Sequence, residues 1–172
     1  MRPNRMDQQA EAVADRITHR PVVLPGDEDF LRDLYFSTRE DLNLLPLDEV
    51  QKQAFVTMQY AAQKQAYDIQ FPGADHDLIL SDGIPAGRLL VDRGSNAIYL
   101  VDISLLPSYR GMGIGTAIMN ELVEEAGSAG TVLRLHVLKT NAAAHLYFRM
   151  GFTVTADDGL YLEMQKAPNS NI

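Results

Sequence analysis

The run VDISLLPSYRGMGIGT, residues 101–116, constrains the fold more than any other part of the chain. A strand ends near Pro107 and leads into a turn, where glycines recur at positions 111, 113 and 115. An amphipathic helical pattern begins directly after these glycines. The run therefore predicts a strand, a tight turn and a helix in direct succession.

This glycine-rich turn is suited to binding a diphosphate. Glycines let the backbone approach a ligand closely, and the first turn of a helix presents unpaired N–H groups and a positive dipole end. A P-loop is excluded because Gly115-Thr116 lacks the required lysine. A dinucleotide-binding fold is disfavoured because the next strand ends Leu138-Lys139-Thr140, without an acidic residue. A turn that only tightens helix packing stays open as an alternative.

Hydrophobic periodicity and turn residues predict the remaining elements in this order: a strand over 17–24, helices over 27–38 and from 48 to 71, strands over 78–81, 86–92 and 97–105, a helix over 113–127, a strand over 132–138, a helix over 141–150, and strands over 152–156 and 160–165. Asp48 and Gln51 form a capping-box pattern at the second helix. One stripe of that helix is expected to contain Val50, Ala54, Met58, Ala61 and Gln65. The order predicts an α+β fold, with a mostly antiparallel sheet and one parallel crossover.

Composition excludes several classes of protein. The 172 residues suit one domain over 17–166, with a polar extension over 1–16 and a tail over 167–172. The chain has no cysteine, which excludes disulfides and thiolate chemistry, and its histidines lack the spacing of a metal site. A net charge of −8 argues against a nucleic-acid partner. We expect no membrane partner and a cytoplasmic location, because no apolar run or signal segment is found.

Two motifs together resemble the GNAT superfamily of N-acetyltransferases. Arg110-x-x-Gly113-x-Gly115 resembles the R/Q-x-x-G-x-G/A signature of that family. The stretch NAAAHLYFRMGF, residues 141–152, is similar to its N-x-x-A-x-x-L-Y-x-x-x-G-F signature, including Asn141, Ala144 and Tyr147. The family asparagine lies seven residues before the tyrosine, whereas Asn141 lies six before Tyr147. Thr140 is therefore an alternative for that position.

The resemblance implies a GNAT-like fold with acetyl-CoA as cosubstrate, without a metal. Its pantetheine would pair with the strand edge at Ile103, Ser104 and Leu105, where the sheet splays, and the Leu105 amide would polarise the thioester. The phosphates would bind the amides of the loop residues Gly111, Met112, Gly113, Ile114, Gly115 and Thr116. Arg110 either adds a charge to that site or is simply solvated.

The same resemblance implies direct transfer of the acetyl group to a primary amine. Tyr147 would protonate the departing thiolate, although an aromatic residue packed on the inner helix face is the alternative. His136 is the best candidate for the base that removes the amine proton, because imidazole titrates in the useful range. Asp102 and Tyr99 are lesser candidates. His19, His76 and His145 give no signal, since the first two are expected in loops or at edges.

The acceptor is expected to lie near 35–47, 60–71 and 157–161, with Tyr60, Tyr67 and Phe71 as possible pocket residues. A small metabolite, an antibiotic-like polyamine and a peptide amine all stay open, as do a monomer and a homodimer. The main alternative to an enzyme is a non-catalytic acyl-CoA-binding or regulatory module. A nucleotide-binding structural protein is a second alternative.

Overall fold

The computed structural model describes residues 13–168, in which four α-helices cover the two faces of one seven-stranded sheet. The strands are β1 (Ile17–Pro21), β2 (Asp75–Ser81), β3 (Ile84–Arg93), β4 (Ala97–Leu105), β5 (Val132–Leu138), β6 (Thr153–Asp157) and β7 (Tyr161–Lys166). The helices are α1 (Glu28–Ser37), α2 (Glu49–Gln70), α3 (Ile114–Ser128) and α4 (Ala143–Arg149). Most of the predicted N-terminal extension and tail lies outside the described residues. Within residues 13–168, no helix is long and apolar enough to span a bilayer.

The sheet has the order β1-β2-β3-β4-β5-β7-β6, and only the pair β4–β5 is parallel. This arrangement confirms the predicted α+β fold, the antiparallel meander of β2 to β4 and the single parallel crossover. The parallel pairing is short, because it joins only Ala97–Leu100 to Val132–Leu135. The two strands separate beyond that point, as expected from the sequence.

The two faces of the sheet carry different helices, because neighbouring side chains along a strand point to opposite faces. On one face, Ile79 and the buried residues of α3 and α4 belong to the main hydrophobic core. On the other face, Leu78 packs with Leu31 of α1 and Tyr60 of α2 in a smaller cluster. The α1–α2 face therefore rests on a smaller core than the α3–α4 face.

The predicted apolar stripe of α2 is wrong, although its predicted cap is confirmed. Asp48 and Gln51 form a complete capping box at the start of the helix. Val50 and Met58, however, are 78% and 61% exposed, and the whole predicted stripe faces solvent. Val56 and Tyr60 are buried instead. Apolar residues occur all round this helix, and its larger side chains, rather than its alanines, fill the space above the sheet.

Several element boundaries differ by a few residues from those predicted. β1 ends at Pro21 rather than at residue 24, because Asp27 pairs with Arg20 at 2.7 Å and accepts a bond from the Val23 amide, which folds the chain into a turn. Helix α4 begins at Ala143, two residues later than predicted. The strands β6 and β7 are each shifted by one residue toward the C-terminus.

Candidate active site

The separation of β4 from β5 opens a cleft of about 390 Å³. Its lining comes from α2, β4, β5, α4 and β7: Tyr67, Gln70, Phe71, Tyr99, Leu100, Val101, Asp102, Ile103, His136, Val137, Leu138, Asn141, Tyr147 and Tyr161. Beyond Leu100, the β4 edge that faces β5 has no strand partner among residues 13–168. Its backbone N–H and C=O groups are therefore available to an extended ligand, as at any open sheet edge.

The glycine loop adopts a conformation that exposes its amides. Gly111 and Gly113 have φ values of +71° and +86°, a region that favours glycine. Gly113 precedes α3 directly, and no side chain caps the helix there. Within residues 13–168, the N–H groups of residues 111–116 have no acceptor, and the first helical amide to bond is that of Ala117, to Gly113. A cluster of unpaired amides at a helix N-terminus fits phosphate oxygens.

Arg110 is held by the protein at the base of this loop. Its Nε donates to the Leu105 carbonyl at 2.9 Å, and its Nη2 donates to the Ser37 carbonyl at 3.2 Å. Its Nη1 lies 3.3 Å from a carboxylate oxygen of Glu40. The guanidinium group thus ties the end of β4 to the end of α1. The bonded side chain is therefore not simply solvated, and its charge lies at the base of the loop.

Close contact between β3 and β4 shapes the cleft edge just before the loop. Gly87 on β3 pairs with Leu105 on β4. A Cβ at Gly87 would overlap the Ser104 carbonyl oxygen and lie 3.2 Å from the Leu105 Cα. Only glycine therefore allows β3 to approach this part of β4. The backbone of β3 therefore lies directly against the stretch of β4 that is predicted to bind pantetheine, with no side chain between them.

Tyr147 reaches the cleft from the core. It is 4% exposed, packs against Phe152 with ring centroids 5.7 Å apart, and still lines the cleft. Its hydroxyl has no hydrogen-bond partner among the described residues, yet it is not sealed from the surface. Burial, and then the negative charge of Asp102, raises the pKa of Tyr147 to about 12. The phenol is therefore protonated at neutral pH and able to donate a proton.

His136 belongs to a row of three polar side chains that crosses β4, β5 and β7. Its Nδ1 lies 2.6 Å from the Tyr99 hydroxyl, and its Nε2 lies 3.6 Å from a carboxylate oxygen of Glu163. Tyr99 stacks in turn on Phe71, with centroids 5.4 Å apart. Burial, and then the charge of Glu163, raises the pKa of Tyr99 to about 12, so this hydroxyl keeps its proton at neutral pH. The imidazole thus lies between a phenol and a carboxylate.

Asp102 forms an ion pair beneath the cleft. Its Oδ2 accepts from the guanidinium of Arg88, at 2.6 Å from Nη2, and from the Ser104 hydroxyl at 3.0 Å. Arg88 is 5% exposed and also donates to Gln63 on α2 at 3.0 Å. Arg88 donates two hydrogen bonds to this carboxylate and Ser104 donates a third, so the main role of Asp102 is to hold Arg88 at the floor of the cleft. A carboxylate that acts as a general base would have fewer donors already bonded to its oxygens.

The remaining predicted residues divide between the cleft and its surroundings. Asn141 lines the cleft, and its Oδ1 accepts from the Ala143 amide at 2.9 Å, at the start of α4. Ala144 is buried in the core, whereas Met112 and His145 are exposed. Of the predicted acceptor residues, Tyr67, Phe71 and Tyr161 line the cleft, whereas Tyr60 lines a neighbouring cavity.

Two histidines that gave no sequence signal differ in their surroundings. His19 lies on the edge strand β1 as expected, 3.0 Å from a Glu121 oxygen. The expectation for His76 is wrong, because it lies within β2, opposite Leu90 of β3, and the Val22 amide donates to its carbonyl. Its Nε2 is buried and has no hydrogen-bond partner among the described residues. Burial, and then the charge of Arg88, lowers the pKa of His76.

Sequence reasoning missed Glu163, Arg88 and Gln63. Glu163 meets His136 through the register of β5 and β7, and Arg88 meets Asp102 through that of β3 and β4. No local pattern reveals either register, although strand alternation predicts which residues share a face. Within residues 13–168 no group of three or more potential metal ligands is found.

Comparison with known proteins places the chain in a well-populated structural class. The model of the acetyltransferase (GNAT) family matches residues 42–152. The PaiA N-acetyltransferase of Thermoplasma acidophilum, solved with coenzyme A, superposes with a TM-score of 0.65 at 19% identity, covering 88% of this chain and 98% of that one. Naa50 of Arabidopsis thaliana, bound to the bisubstrate analogue CoA-Ac-MVNAL, gives 0.57 at 18% identity, covering 88% and 99%. A histone acetyltransferase HPA2-related protein of Corynebacterium glutamicum gives 0.63 at 22% identity, covering 89% and 97%.

Proposed function

The chain belongs to the GNAT family of acetyltransferases, and from that premise we propose that it transfers an acetyl group from acetyl-CoA to a primary amine by direct attack. The observation that carries the proposal is a cleft that contains an unpaired strand edge and two polar groups suited to proton transfer, on a strand that leads directly into a loop of free amides. PaiA and Naa50, which superpose on the chain, were solved with coenzyme A and with a CoA-linked analogue.

The chain's own residues provide one binding surface along the cosubstrate. The amides of residues 111–116 hold the diphosphate at the start of α3, where the helix dipole adds a favourable potential. The open edge of β4 at Ile103, Ser104 and Leu105 pairs with the pantetheine arm. Asn141 borders that arm just before α4, whereas Ala144, predicted to contact it, packs in the core behind. Arg110 keeps the loop against β4. When bound, acetyl-CoA supplies the thioester from which the acetyl group is transferred.

His136 takes the proton that the acceptor amine must lose. With Tyr99 donating to Nδ1, a proton from the amine reaches the imidazole through a relay in which the Tyr99 hydroxyl accepts it while passing its own proton to Nδ1. Glu163 stabilises the imidazolium formed, since its carboxylate faces Nε2. Phe71 holds Tyr99 in place by stacking.

Tyr147 supplies the proton that the leaving sulfur needs. The amide N–H of Leu105 donates to the thioester oxygen, which stabilises the charge that develops there. The carbon–sulfur bond then breaks, and the Tyr147 hydroxyl donates its proton to the sulfur that leaves. The amine nitrogen has thus formed a bond to the acetyl carbon and lost one proton to His136. The sulfur has gained one proton from Tyr147.

Calorimetry with acetyl-CoA, followed by an amine panel in which released CoA thiol is measured, tests this proposal. We expect saturable binding and thiol release that depends on the amine. Binding without thiol release across alkylamines, amino acids, polyamines and peptides would indicate a non-catalytic acyl-CoA-binding module. Tight binding of ADP that is insensitive to the pantetheine arm would instead indicate a nucleotide-binding protein.

A further inference from the structure

A second cavity of about 250 Å³ lies beside the cleft, under the C-terminal half of α2. The two share Tyr67 and Phe71, so they are adjacent. The second cavity extends across β3 to β2, and its lining is Tyr60, Lys64, Tyr67, Asp68, Phe71, Pro72, Ala74, His76, Arg88 and Leu90. An acceptor with its amine in the cleft therefore has room for its distal part here.

Two nitrogens at this cavity have unused hydrogen-bonding capacity. Arg88 is 5% exposed, and its Nε and Nη2 bind Asp102 and Gln63, but its Nη1 is accessible and has no acceptor among the described residues. The Nε2 of His76 is buried without a partner. A nearly buried guanidinium group that keeps one donor free at a cavity indicates a missing group with acceptor oxygens.

The free donors of the cavity, rather than its net charge, favour a group with acceptor oxygens over a second ammonium, since Asp102 and Glu28 already pair with its two cations. Arg88 stacks over the Tyr67 ring, with its Cζ 5.9 Å from the centroid, and its free edge offers two N–H donors. Lys64, which pairs with Glu28 at 3.0 Å, adds a second cation to the lining. Asp68 is the one carboxylate in the lining, and it is exposed.

The register of the sheet gives the distance between the two ends of the acceptor. His76 pairs with Leu90 on β3, and Leu90 pairs with Asp102 on β4, so the three residues form a row across the sheet. Adjacent strands lie about 4.8 Å apart, which separates the Cα atoms of His76 and Asp102 by about 10 Å. The group that fills the second cavity is therefore several bonds from an amine that lies beside β4.

We propose that the acceptor is a primary amine with a carboxylate several bonds away, and that Arg88 Nη1 and His76 Nε2 donate hydrogen bonds to that carboxylate. The inference rests on the proposed acetyl transfer and specifies its substrate class. A neutral imidazole with its proton on Nε2 is a donor suited to a carboxylate. The planar edge of Arg88 is suited to the same group.

The test compares acceptors of increasing length by kcat/KM. The probes are glycine, β-alanine, γ-aminobutyrate and ε-aminocaproate, each matched with an alkylamine and a diamine of the same length. We expect one of the longer amino acids to exceed its alkylamine by about tenfold to a hundredfold, the range of a charge-assisted hydrogen bond. Alkanoates of matching length should inhibit competitively against the amine.

Two variants assign that preference to the cavity. Arg88→Lys keeps a cation opposite Asp102 but removes the free guanidinium edge, and His76→Phe removes the unpartnered nitrogen beside open space. Each changes the wall of the cavity and should reduce the ratio between amino acid and alkylamine toward one. His76→Phe should also leave the melting temperature unchanged or raise it, because it removes a buried unpaired group. Arg93→Lys is the matched control, since Arg93 lies on β3 but pairs with Asp75 and Glu125 outside the cavity.

The possible outcomes separate this inference from the function on which it rests. Equal rates for amino acids and alkylamines, or faster rates for diamines, would show that the cavity holds only water and would overturn the carboxylate assignment, while acetyl transfer would stand. A preference that survives both variants would also overturn it. Failure of every amine to release CoA thiol would remove the proposed function and this inference with it.

Discussion

Substitution of two glycines in α3 separates the role of the loop in stability from its role in binding. Gly115 and Gly127 both lie in this helix, and a Cβ at either meets no other atom within 4 Å. Alanine in place of a helical glycine stabilises by about 0.5–1 kcal/mol. For a domain of this size, that corresponds to a rise in melting temperature of about 1–4 °C. Both single alanine variants should therefore melt at the same temperature as the parent or slightly higher.

Leucine at the same two positions should affect binding very differently. Gly115→Leu fills the space in front of the loop amides, whereas Gly127→Leu lies at the far end of the helix. Loss of one charge-assisted hydrogen bond to phosphate, about 1.5–3 kcal/mol, weakens CoA binding by about tenfold to 150-fold. Calorimetry measures the affinity and a thermal melt measures the stability of each variant. Equal CoA affinity in the two leucine variants would refute the assignment of the loop as the diphosphate site.

The remaining predictions concern the proton-transfer groups, the sheet and the response to pH. Tyr147→Phe should lower kcat by at least about tenfold with little change in CoA affinity, and full activity would remove its donor role. His136→Ala should lower kcat/KM by about a hundredfold at neutral pH and less in alkali, where the amine is already unprotonated; a parallel loss at every pH would contradict its role as base. Gly87→Ala should destabilise by more than about 1–3 kcal/mol in urea unfolding, because its Cβ overlaps Ser104, and a neutral effect would contradict the strand contact. Since the pKa of both Tyr147 and Tyr99 is raised to about 12 from about 10, their contribution to stability is fully present below pH 10 and is lost as pH rises through about 12. Unfolding in urea measured from pH 9 to 12 checks this, and an unchanged midpoint would contradict it.

The sequence predicts the parts of the fold that local signals determine. The run at 101–116 gives β4, the loop and the start of α3, because glycine spacing and helix periodicity are contained in a few residues. The hairpins that join β2 to β3 and β6 to β7 have local signals as well, because Asp82-Gly83 and Asp158-Gly159 are typical turn sequences. Their strand ends differ by only a few residues from the prediction.

The site itself depends on contacts that no local signal contains. Tyr99, His136 and Glu163 come from three strands, and their meeting follows from registers set by the whole sheet. The buried face of α2 was predicted wrongly because that helix is apolar on more than one side. Arg88 and His76 gave no signal, since burial of a polar side chain is visible only once the neighbouring helix is in place.

A crystal structure with bound CoA tests the central claim most directly, namely that backbone amides of residues 111–116 bind the diphosphate. The account predicts diphosphate oxygens about 3 Å from those amide nitrogens, with the pantetheine arm along the open edge of β4. A diphosphate bound elsewhere on the protein, with these amides facing only solvent, would contradict it.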